Sequence, residues 1–297
     1  MLRIIADSTC DISKEDARKM GIQIVPISVR FGNEEFLDGV EITHEEFYTR
    51  LAECDELPKT SQPSPDTFMK VFNEAVADGD DVLGIFISSD LSGTYQSACL
   101  AASDVEDETG KKLYMVDSRS ASIGTALLIR EAVKLRDAGV NVSDIAAACT
   151  EMSKYIKLTA VVGSLKYLKM GGRLSGAAAF AGTMLHITPV VSIEDGKVVV
   201  IGKTRGKKAA EKLMHDKLIK DGLSLTRDFM FGHINCSESL ETFINKSLTY
   251  ISDVNGNVGV SSIGCSVGTH VGPGTYGIAY VEAAESGMNR ESIVKTA

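Results

Sequence analysis

Short apolar runs recur through the first half of the chain, and each is followed by a more polar segment. The runs occupy residues 4–6, 22–31, 82–87 and 113–116. They are rich in Ile, Val and Leu and lack the strict alternation of a half-exposed strand. Such runs are typical of strands that are buried on both faces of a sheet.

Helical patterns separate these runs. Ser13 can cap one helix, with Asp16 three residues later. Ser64 can cap a second helix, in which Pro65 suits the first turn. Residues 120–138 form a third apolar helical pattern. Because strands that alternate with helices form parallel sheets, the first half is predicted to be a three-layer α/β/α parallel-sheet domain.

The second half has a different organisation, because its strand-like runs follow one another more closely. They occupy residues 160–162, 190–193, 197–201, 230–234, 258–263 and 278–281. Asp195-Gly196 between two of these runs predicts a tight hairpin, which requires antiparallel pairing. We therefore expect an α/β protein of two domains. Residues 1–155 form the parallel-sheet domain, and residues 156–297 form a mixed-sheet α/β domain.

The composition excludes some classes of function. With 31 Lys and Arg against 40 Asp and Glu, the formal net charge is −9, which disfavours nucleic acid and anionic lipid surfaces. The six Cys form no C-x-x-C pair and the five His no H-E-x-x-H motif, so no metal site or cofactor is expected. Because the chain enters a strand-like run at once, we expect no signal peptide, and no apolar run approaches the ~18 residues of a membrane span. We expect a cytoplasmic protein with reduced thiols.

Three glycine motifs resemble catalytic or nucleotide-binding signatures. Residues 264–268 match G-x-S-x-G, but the glycines and proline that follow oppose the helix which a nucleophile elbow needs. Residues 272–277 match G-x-G-x-x-G but lead into a strand-like run instead of a helix. Residues 196–204 resemble a phosphate-binding loop with one residue too many, placed across the predicted hairpin. None of the three supports catalysis or nucleotide binding.

Two hydroxyl-rich loops stand where a predicted strand or loop meets a helix. One is Thr60-Ser61-Gln62-Pro63-Ser64, and the other covers residues 88–94. Ligands of open α/β sheets bind at the carboxyl ends of the strands, and helix N-termini favour anions. Each hydroxyl alone is more often a cap or turn residue. The two loops together predict a site for a small anion, and Gly93 permits a close backbone approach.

Two features of the second half allow two interpretations each. Residues 177–187 are mostly apolar and predict either a buried helix or the wall of an apolar tunnel. Lys203, Arg205, Lys207 and Lys208 form a basic run in an acidic protein. This run is either a solvated face or a docking patch for an acidic partner or phosphate.

Six short motifs, in their order along the chain, resemble those of the DegV family of bacterial fatty-acid-binding proteins. They are Asp7-Ser8-Thr9, Thr60-Ser61-Gln62-Pro63-Ser64, residues 88–94 (S-S-x-L-S-G-T), Val116-Asp117-Ser118, residues 171–174 (G-G-R-L) and residues 269–274 (T-H-x-G-P-G). Each motif is loose by itself, but the ordered set is specific. The resemblance extends from about residue 3 to about residue 281.

The resemblance implies a long-chain fatty acid, such as palmitate or another C16–C18 acid, held in a tunnel between the two domains. Thr60 and Ser92 would bind its carboxylate, with Ser61, the Gly93 amide and His270 as further partners. It also implies a role for Arg173 in phosphotransfer or gating. Some family members carry the acid to a separate fatty acid kinase that serves phospholipid synthesis. The resemblance thus implies a lipid-binding acyl carrier and not an enzyme.

A catalytic alternative stays open from the sequence. Ser266 and His270 could serve a serine-dependent hydrolase or acyltransferase, although no acid and histidine follow in the usual order. Turnover of an activated ester that disappears in Ser266→Ala would separate this alternative from the binding function.

Overall fold

The computed structural model describes residues 1–176, 187–224, 226–249 and 256–283. Its strands are β1 Leu2–Asp7, β2 Ile22–Val25, β3 Ser28–Phe31, β4 Glu34–Leu37, β5 Lys59–Ser61, β6 Asp81–Phe86, β7 Tyr114–Asp117, β8 Ile156–Val161, β9 Thr188–Glu194, β10 Lys197–Thr204, β11 Phe229–His233, β12 Val258–Ser262 and β13 Tyr276–Val281. Its helices are α1 Lys14–Met20, α2 His44–Glu53, α3 Pro65–Ala77, α4 Thr94–Thr109, α5 Ile123–Asp137, α6 Val142–Met152, α7 Leu165–Met170, α8 Lys207–Asp221, α9 Ser237–Leu248 and α10 Cys265–Val271.

The first sheet is parallel, with the strand order β2-β1-β6-β7. Helices α3 and α4 pack on one face, where Phe68 and Phe72 are fully buried. Helices α5 and α6 cover the other face with residues such as Ile129 and Cys149. This arrangement confirms the predicted three-layer α/β/α fold. The predicted caps are also present, since the Ser13 and Ser64 hydroxyls accept N–H bonds from Asp16 and Thr67.

The prediction of one strand over residues 22–31 was wrong. The segment contains two strands, β2 in the parallel sheet and β3 in a small antiparallel sheet of order β4-β3-β5. Pro26 lies between them and has no N–H to donate to a neighbouring strand, which favours a change of direction there. The small sheet matters for function because it places Thr60 on β5 opposite Val29 on β3.

The second sheet has six strands in the order β10-β9-β8-β13-β11-β12. Strands β11 and β12 are parallel, whereas the other neighbours are antiparallel, so the predicted mixed sheet is confirmed. Asp195 and Gly196 form the β9–β10 turn with positive φ angles of 48° and 81°. These are the angles that a two-residue hairpin of the predicted kind requires.

The predicted boundary between residues 155 and 156 stays a prediction, although β8 begins at Ile156. Apolar packing is continuous across that position. Ile123 and Leu127 of α5 belong to the same buried cluster as Leu158 and Val191 of the second sheet. The two sheets therefore share a core that α5 joins.

The helix that follows residue 264 contradicts the expectation that glycines would prevent one there. Helix α10 begins at Cys265, separated from the end of β12 by two residues, and Gly264 is its N-cap. A side chain at Gly268 would place its Cβ 2.2 Å from the hydroxyl of Tyr48, so close packing requires glycine inside the helix. Gly272 ends the helix with φ of 75°, and Pro273 follows. The glycines thus mark the ends and one contact of a real helix.

The other two glycine motifs lie in the predicted contexts. Residues 272–277 lead into β13, and residues 196–204 comprise Gly196 of the β9–β10 turn and the whole of β10. Neither has the strand-to-helix geometry of a nucleotide-binding loop.

In the described part of the chain, no helix combines the length and apolar character needed to cross a membrane. The apolar segment at residues 177–187 lies outside the described residues, except for Ile187.

Candidate functional site

A cavity of about 930 Å³, including its opening to solvent, lies between the parallel sheet and the six-stranded sheet. The segments that follow the parallel strands form one side of it. They contribute Thr9 after β1, Ile27 after β2, Ile87 after β6 and Ser122 after β7. The cavity is therefore at the carboxyl edge of the sheet, where the sequence predicts a ligand.

The opposite wall is one face of the six-stranded sheet and is wholly apolar. Leu158 and Ala160 of β8 alternate into the cavity, as do Val191 and Ile193 of β9. Small and branched aliphatic side chains of this kind leave open space without offering a polar partner. The wall suits an elongated apolar molecule.

Thr60 lies on β5 at the polar end of the cavity and its side chain contacts His270 of α10. Its Oγ1 is 2.9 Å from the His270 Nε2 atom. Strand alternation turns the next side chain outward, so Ser61 is exposed and does not line the cavity. The structure thus brings Thr60 and His270 together and leaves Ser61 apart from them.

His270 is neutral at physiological pH. Burial, assisted by the positive charge of Arg173, lowers its pKa to about 4. The His270 Nδ1 atom has no hydrogen-bond partner in the described part of the chain. In the tautomer that carries its proton on Nε2, the Nε2–H group donates to the Thr60 oxygen. The Thr60 O–H is then free to donate into the cavity. That arrangement suits an anionic ligand, because the imidazole polarises the threonine hydroxyl.

Ser92 and Gly93 lie at the start of α4, with the Ser92 side chain lining the cavity. The Ser92 hydroxyl is 2.8 Å from the Thr94 hydroxyl. Gly93 is the N-cap of this helix, whose first turn holds no acidic residue. The helix dipole therefore adds a favourable field for an anion near Ser92.

Arg173 links the glycine turn to the loop before α4. Its Nε donates to the Leu91 carbonyl at 3.2 Å, and its Nη1 donates to the Gly171 carbonyl at 2.5 Å. The side chain lines the cavity near Ser92 and carries a positive charge. Gly171 must lack a side chain, because a Cβ there would lie 2.3 Å from the His270 Nδ1 atom. The G-G-R turn thus holds the arginine and the histidine together.

Ser266 and His270 lie one turn apart on α10, and both line the cavity. The strand–turn–helix context of a nucleophile elbow is therefore present, contrary to the sequence-based argument. However, no described residue forms a hydrogen bond with the Ser266 Oγ, and the His270 Nε2 is engaged by Thr60. A serine nucleophile needs a base within hydrogen-bond reach, and this arrangement does not supply one.

Three buried aspartates, at positions 7, 11 and 38, accept hydrogen bonds from the segments that form the site. Asp7 accepts N–H bonds from Thr9 and Ile87, and Asp11 accepts the Ser122 hydroxyl and the Gly264 N–H. Burial raises the pKa of Asp7 and raises that of Asp11 far above the usual range.

Asp38 holds the first turn of α10. It accepts N–H bonds from Cys265 and Ser266, and the Ser8 hydroxyl donates to it as well. Sequence reasoning missed the roles of Asp11 and Asp38. Their partners are distant in sequence, and the chain gives no local signal for them.

Among the described residues, Asp38, His44 and Cys265 form a group of potential metal ligands whose atoms lie within 4.8 Å of one another. Both Asp38 oxygens already accept N–H groups of α10. Burial and the charge of Asp38 raise the pKa of the Cys265 thiol, which opposes the thiolate that a metal binds. Holding the helix accounts for the cluster, and the expectation of no metal site stays a prediction.

Comparison with known proteins places this architecture in one family. The family model described as "Uncharacterised protein, DegV family" matches residues 1–283. A DegV domain-containing protein of Clostridium perfringens is 35% identical over 290 residues, which cover 95% of this chain and 98% of that protein.

Solved structures agree with this match. A DegV family protein from Thermus thermophilus, described by its fatty acid binding, superposes with a TM-score of 0.84 at 30% identity, covering 95% of this chain and 99% of that chain. A stearic acid-binding protein from Eubacterium ventriosum also gives a TM-score of 0.84, at 29% identity, covering 95% of this chain and 98% of that chain. The sequence match over nearly the whole chain and the shared two-sheet fold show that this protein belongs to the DegV family.

Proposed function

We propose that this protein binds one long-chain fatty acid, with the carboxylate at the polar end of the cavity and the acyl chain along its apolar wall. The observation that carries the proposal is the division of a single cavity into two chemical parts. Thr60, Ser92, Arg173 and His270 are grouped at one end, and aliphatic side chains form the rest. A molecule with an anionic head and a long hydrocarbon tail matches both parts.

The head site supplies both neutral donors and charge. The Thr60 hydroxyl, polarised by His270, and the Ser92 hydroxyl donate to the carboxylate, while Arg173 provides the opposite charge. Hydrogen bonds to a charged group contribute about 1.5–3 kcal/mol each. The Gly93 amide is a further donor at the start of α4, and Ser61 contributes less because its side chain is exposed.

The finer proposal is that this chain carries the acid in the cytoplasm and presents it to a separate fatty acid kinase. Thr60, Ser92, Arg173 and His270 are only partly buried, so the carboxylate end is near the surface whereas the tail is enclosed. A carrier of this kind divides into residues 1–155, which hold Thr60 and Ser92 of the head site, and residues 156–297, which hold Arg173 and His270 and cover the tail. Arg173 lies beside the carboxylate, where its charge favours a phosphorylated head group.

Native mass spectrometry of the purified protein tests the binding function. The expected spectrum contains an added mass corresponding to a C16–C18 acid, and denaturation releases it. A protein that is free of such a mass and does not take up added palmitate would refute the proposal.

A coupled assay tests the carrier function. Palmitate-loaded protein, a purified bacterial fatty acid kinase and ATP should yield acyl phosphate, which hydroxylamine traps as the hydroxamate. Protein that retains palmitate but yields no hydroxamate with an active kinase would restrict the function to binding. Turnover of an activated ester that Ser266→Ala abolishes would instead favour a hydrolase.

A further inference from the structure

Ser266 belongs to the cavity wall and has a buried hydroxyl that no described protein group uses. The residue is 2% exposed and lines the cavity, yet its Oγ has no hydrogen-bond partner among the described residues. Its backbone N–H donates to Asp38, so the residue itself is firmly placed at the start of α10. A buried hydroxyl without a partner is unfavourable, and this hydroxyl shares that state with the His270 Nδ1 atom of the same site.

The other hydroxyls that described residues bring to the cavity are all engaged. Thr9 and Ser122 donate to buried aspartates, and Thr275 donates to backbone carbonyls of residues 271 and 272. At the polar end, Thr60 pairs with His270, and Ser92 pairs with Thr94. Among the hydroxyls that described residues bring to the cavity, Ser266 is thus the one without a protein partner.

Ser266 lies deeper than the head site. It is four residues before His270 on the same helix, a rise of about 6 Å. It is fully buried, whereas His270, Thr60 and Ser92 are partly exposed. Its neighbours on the cavity wall are the apolar side chains of Ile263 and Val267. A ligand whose carboxylate is at His270 therefore passes Ser266 with the first part of its acyl chain.

We propose that Ser266 recognises an oxygen substituent on the acyl chain, so that the preferred ligand is a long-chain acid with a hydroxyl group within its first few carbons. The inference rests on the proposed fatty-acid binding and adds a specificity to it. A plain methylene chain leaves the Ser266 hydroxyl unpaired, whereas a hydroxyl on the chain can both donate to it and accept from it. In a cavity with apolar walls, water competes weakly for that bond.

Competition binding tests this specificity. Palmitate, 2-hydroxypalmitate, 3-hydroxypalmitate and 16-hydroxypalmitate would each displace a fluorescent fatty acid from the intact protein. For the wild type we expect 2- or 3-hydroxypalmitate to bind about tenfold more tightly than palmitate, which corresponds to one net hydrogen bond of about 1.4 kcal/mol. The 16-hydroxy acid should show no gain, because its hydroxyl lies at the far end of the tail.

Two variants assign the effect to the side chain. Ser266→Ala should lose the preference, so that palmitate and the near-head hydroxy acids bind this variant with equal affinity. Ser192→Ala is the matched control, because the Ser192 hydroxyl is also fully buried and has no partner among residues that the structure describes. Ser192 lies between the cavity-lining Val191 and Ile193 and therefore on the opposite face of β9. This variant should retain the preference.

The possible failures are distinguishable. Equal wild-type affinities for palmitate and both near-head hydroxy acids would overturn the role of Ser266 and leave fatty-acid binding intact. A preference that survives in Ser266→Ala would overturn it as well. If none of the acids displaces the probe, the proposed function itself fails.

Discussion

The two faces of the six-stranded sheet are built from the same strands but are packed in opposite ways. On the cavity face, β8 and β9 present Leu158, Ala160, Val191 and Ile193. On the other face, aromatic rings fill the space against α8 and α9. These rings belong to Phe229, Phe231, Phe243, Tyr276 and Tyr280, all of which are at most 2% exposed.

The difference shows that side-chain size decides which face of this sheet is closely packed and which face borders a cavity. Phe231 contacts Phe229 and Phe243 edge to face, with ring centroids 5.9 Å apart in both pairs. Only 6% of the residues are Phe or Tyr, and there is no Trp. A large share of the aromatic side chains of the protein therefore packs on one face of one sheet. The aliphatic face opposite encloses a cavity because it lacks them.

The largest expected effect is a loss of stability on the aromatic face. Phe231→Ala should lower the free energy of unfolding by about 3–5 kcal/mol, because it opens a void in close-packed surroundings. Val191→Ala on the cavity face should cost only about 1 kcal/mol in ligand-free protein, since the space beside it is already open. Urea unfolding of both variants measures the difference, and equal losses would contradict the comparison.

Filling the cavity should have the opposite consequence for binding. Ala160→Phe places a ring in the cavity and should weaken palmitate binding by at least about 100-fold, with little loss of stability. Val161→Phe, one residue further on β8 and on the packed face, should cost about 1–3 kcal/mol of unfolding free energy and leave binding intact. Fluorescence displacement and thermal unfolding of both variants provide the test. A functional Ala160→Phe variant would show that the ligand lies elsewhere.

At the polar end of the cavity, individual hydrogen bonds should contribute measurably to palmitate affinity. Thr60→Val removes the hydroxyl and keeps the shape, so palmitate affinity should fall roughly ten- to hundredfold, as expected for about 1.5–3 kcal/mol. Ser61→Ala, at the neighbouring exposed position, is the control and should change affinity little. Isothermal titration with palmitate distinguishes them, and a similar loss in both variants would indicate a general effect on β5.

The smallest expected effect is a dependence of stability on pH. The folded-state pKa of His270 is about 4, against an ordinary value of 6.5, so the unfolded chain binds this proton more readily. The stability that neutral His270 contributes is therefore fully present above pH 6.5, and it is lost as the pH falls toward 4. The loss attributable to His270 between pH 7 and pH 5 is about 2 kcal/mol. His270→Gln should remove it, and parallel wild-type and variant curves from urea unfolding across this range would disprove it.

Local patterns in the sequence predicted much of the fold. The apolar runs predicted the parallel strands, and Asp195-Gly196 predicted the hairpin. Both predictions were possible because each signal is contained within a few consecutive residues. The loops around Thr60 and Ser92 were predicted as an anion site because both precede helices. The structure brings both residues to the same cavity. The ligand itself could be named only through the resemblance to the family.

Features that depend on distant contacts could not be predicted in this way. From the sequence alone, Gly268 indicates the end of a helix. Its contact with Tyr48 explains why glycine is needed inside α10. The inward and outward orientations of Thr60 and Ser61 depend on the pairing of β5 with β3, for which residues 59–61 hold no signal. The roles of Asp11 and Asp38 depend on α10, more than 200 residues later in the chain.

The bonds that build the head site have a consequence for biosynthesis. Thr60 meets His270, Asp11 meets Gly264 and Asp38 meets Ser266, at separations of 210, 253 and 228 residues. A nascent chain that has not yet released residue 270 from the ribosome lacks the imidazole, and so has only half of this end of the cavity. Ligand binding at this end of the cavity therefore requires a chain that already includes α10.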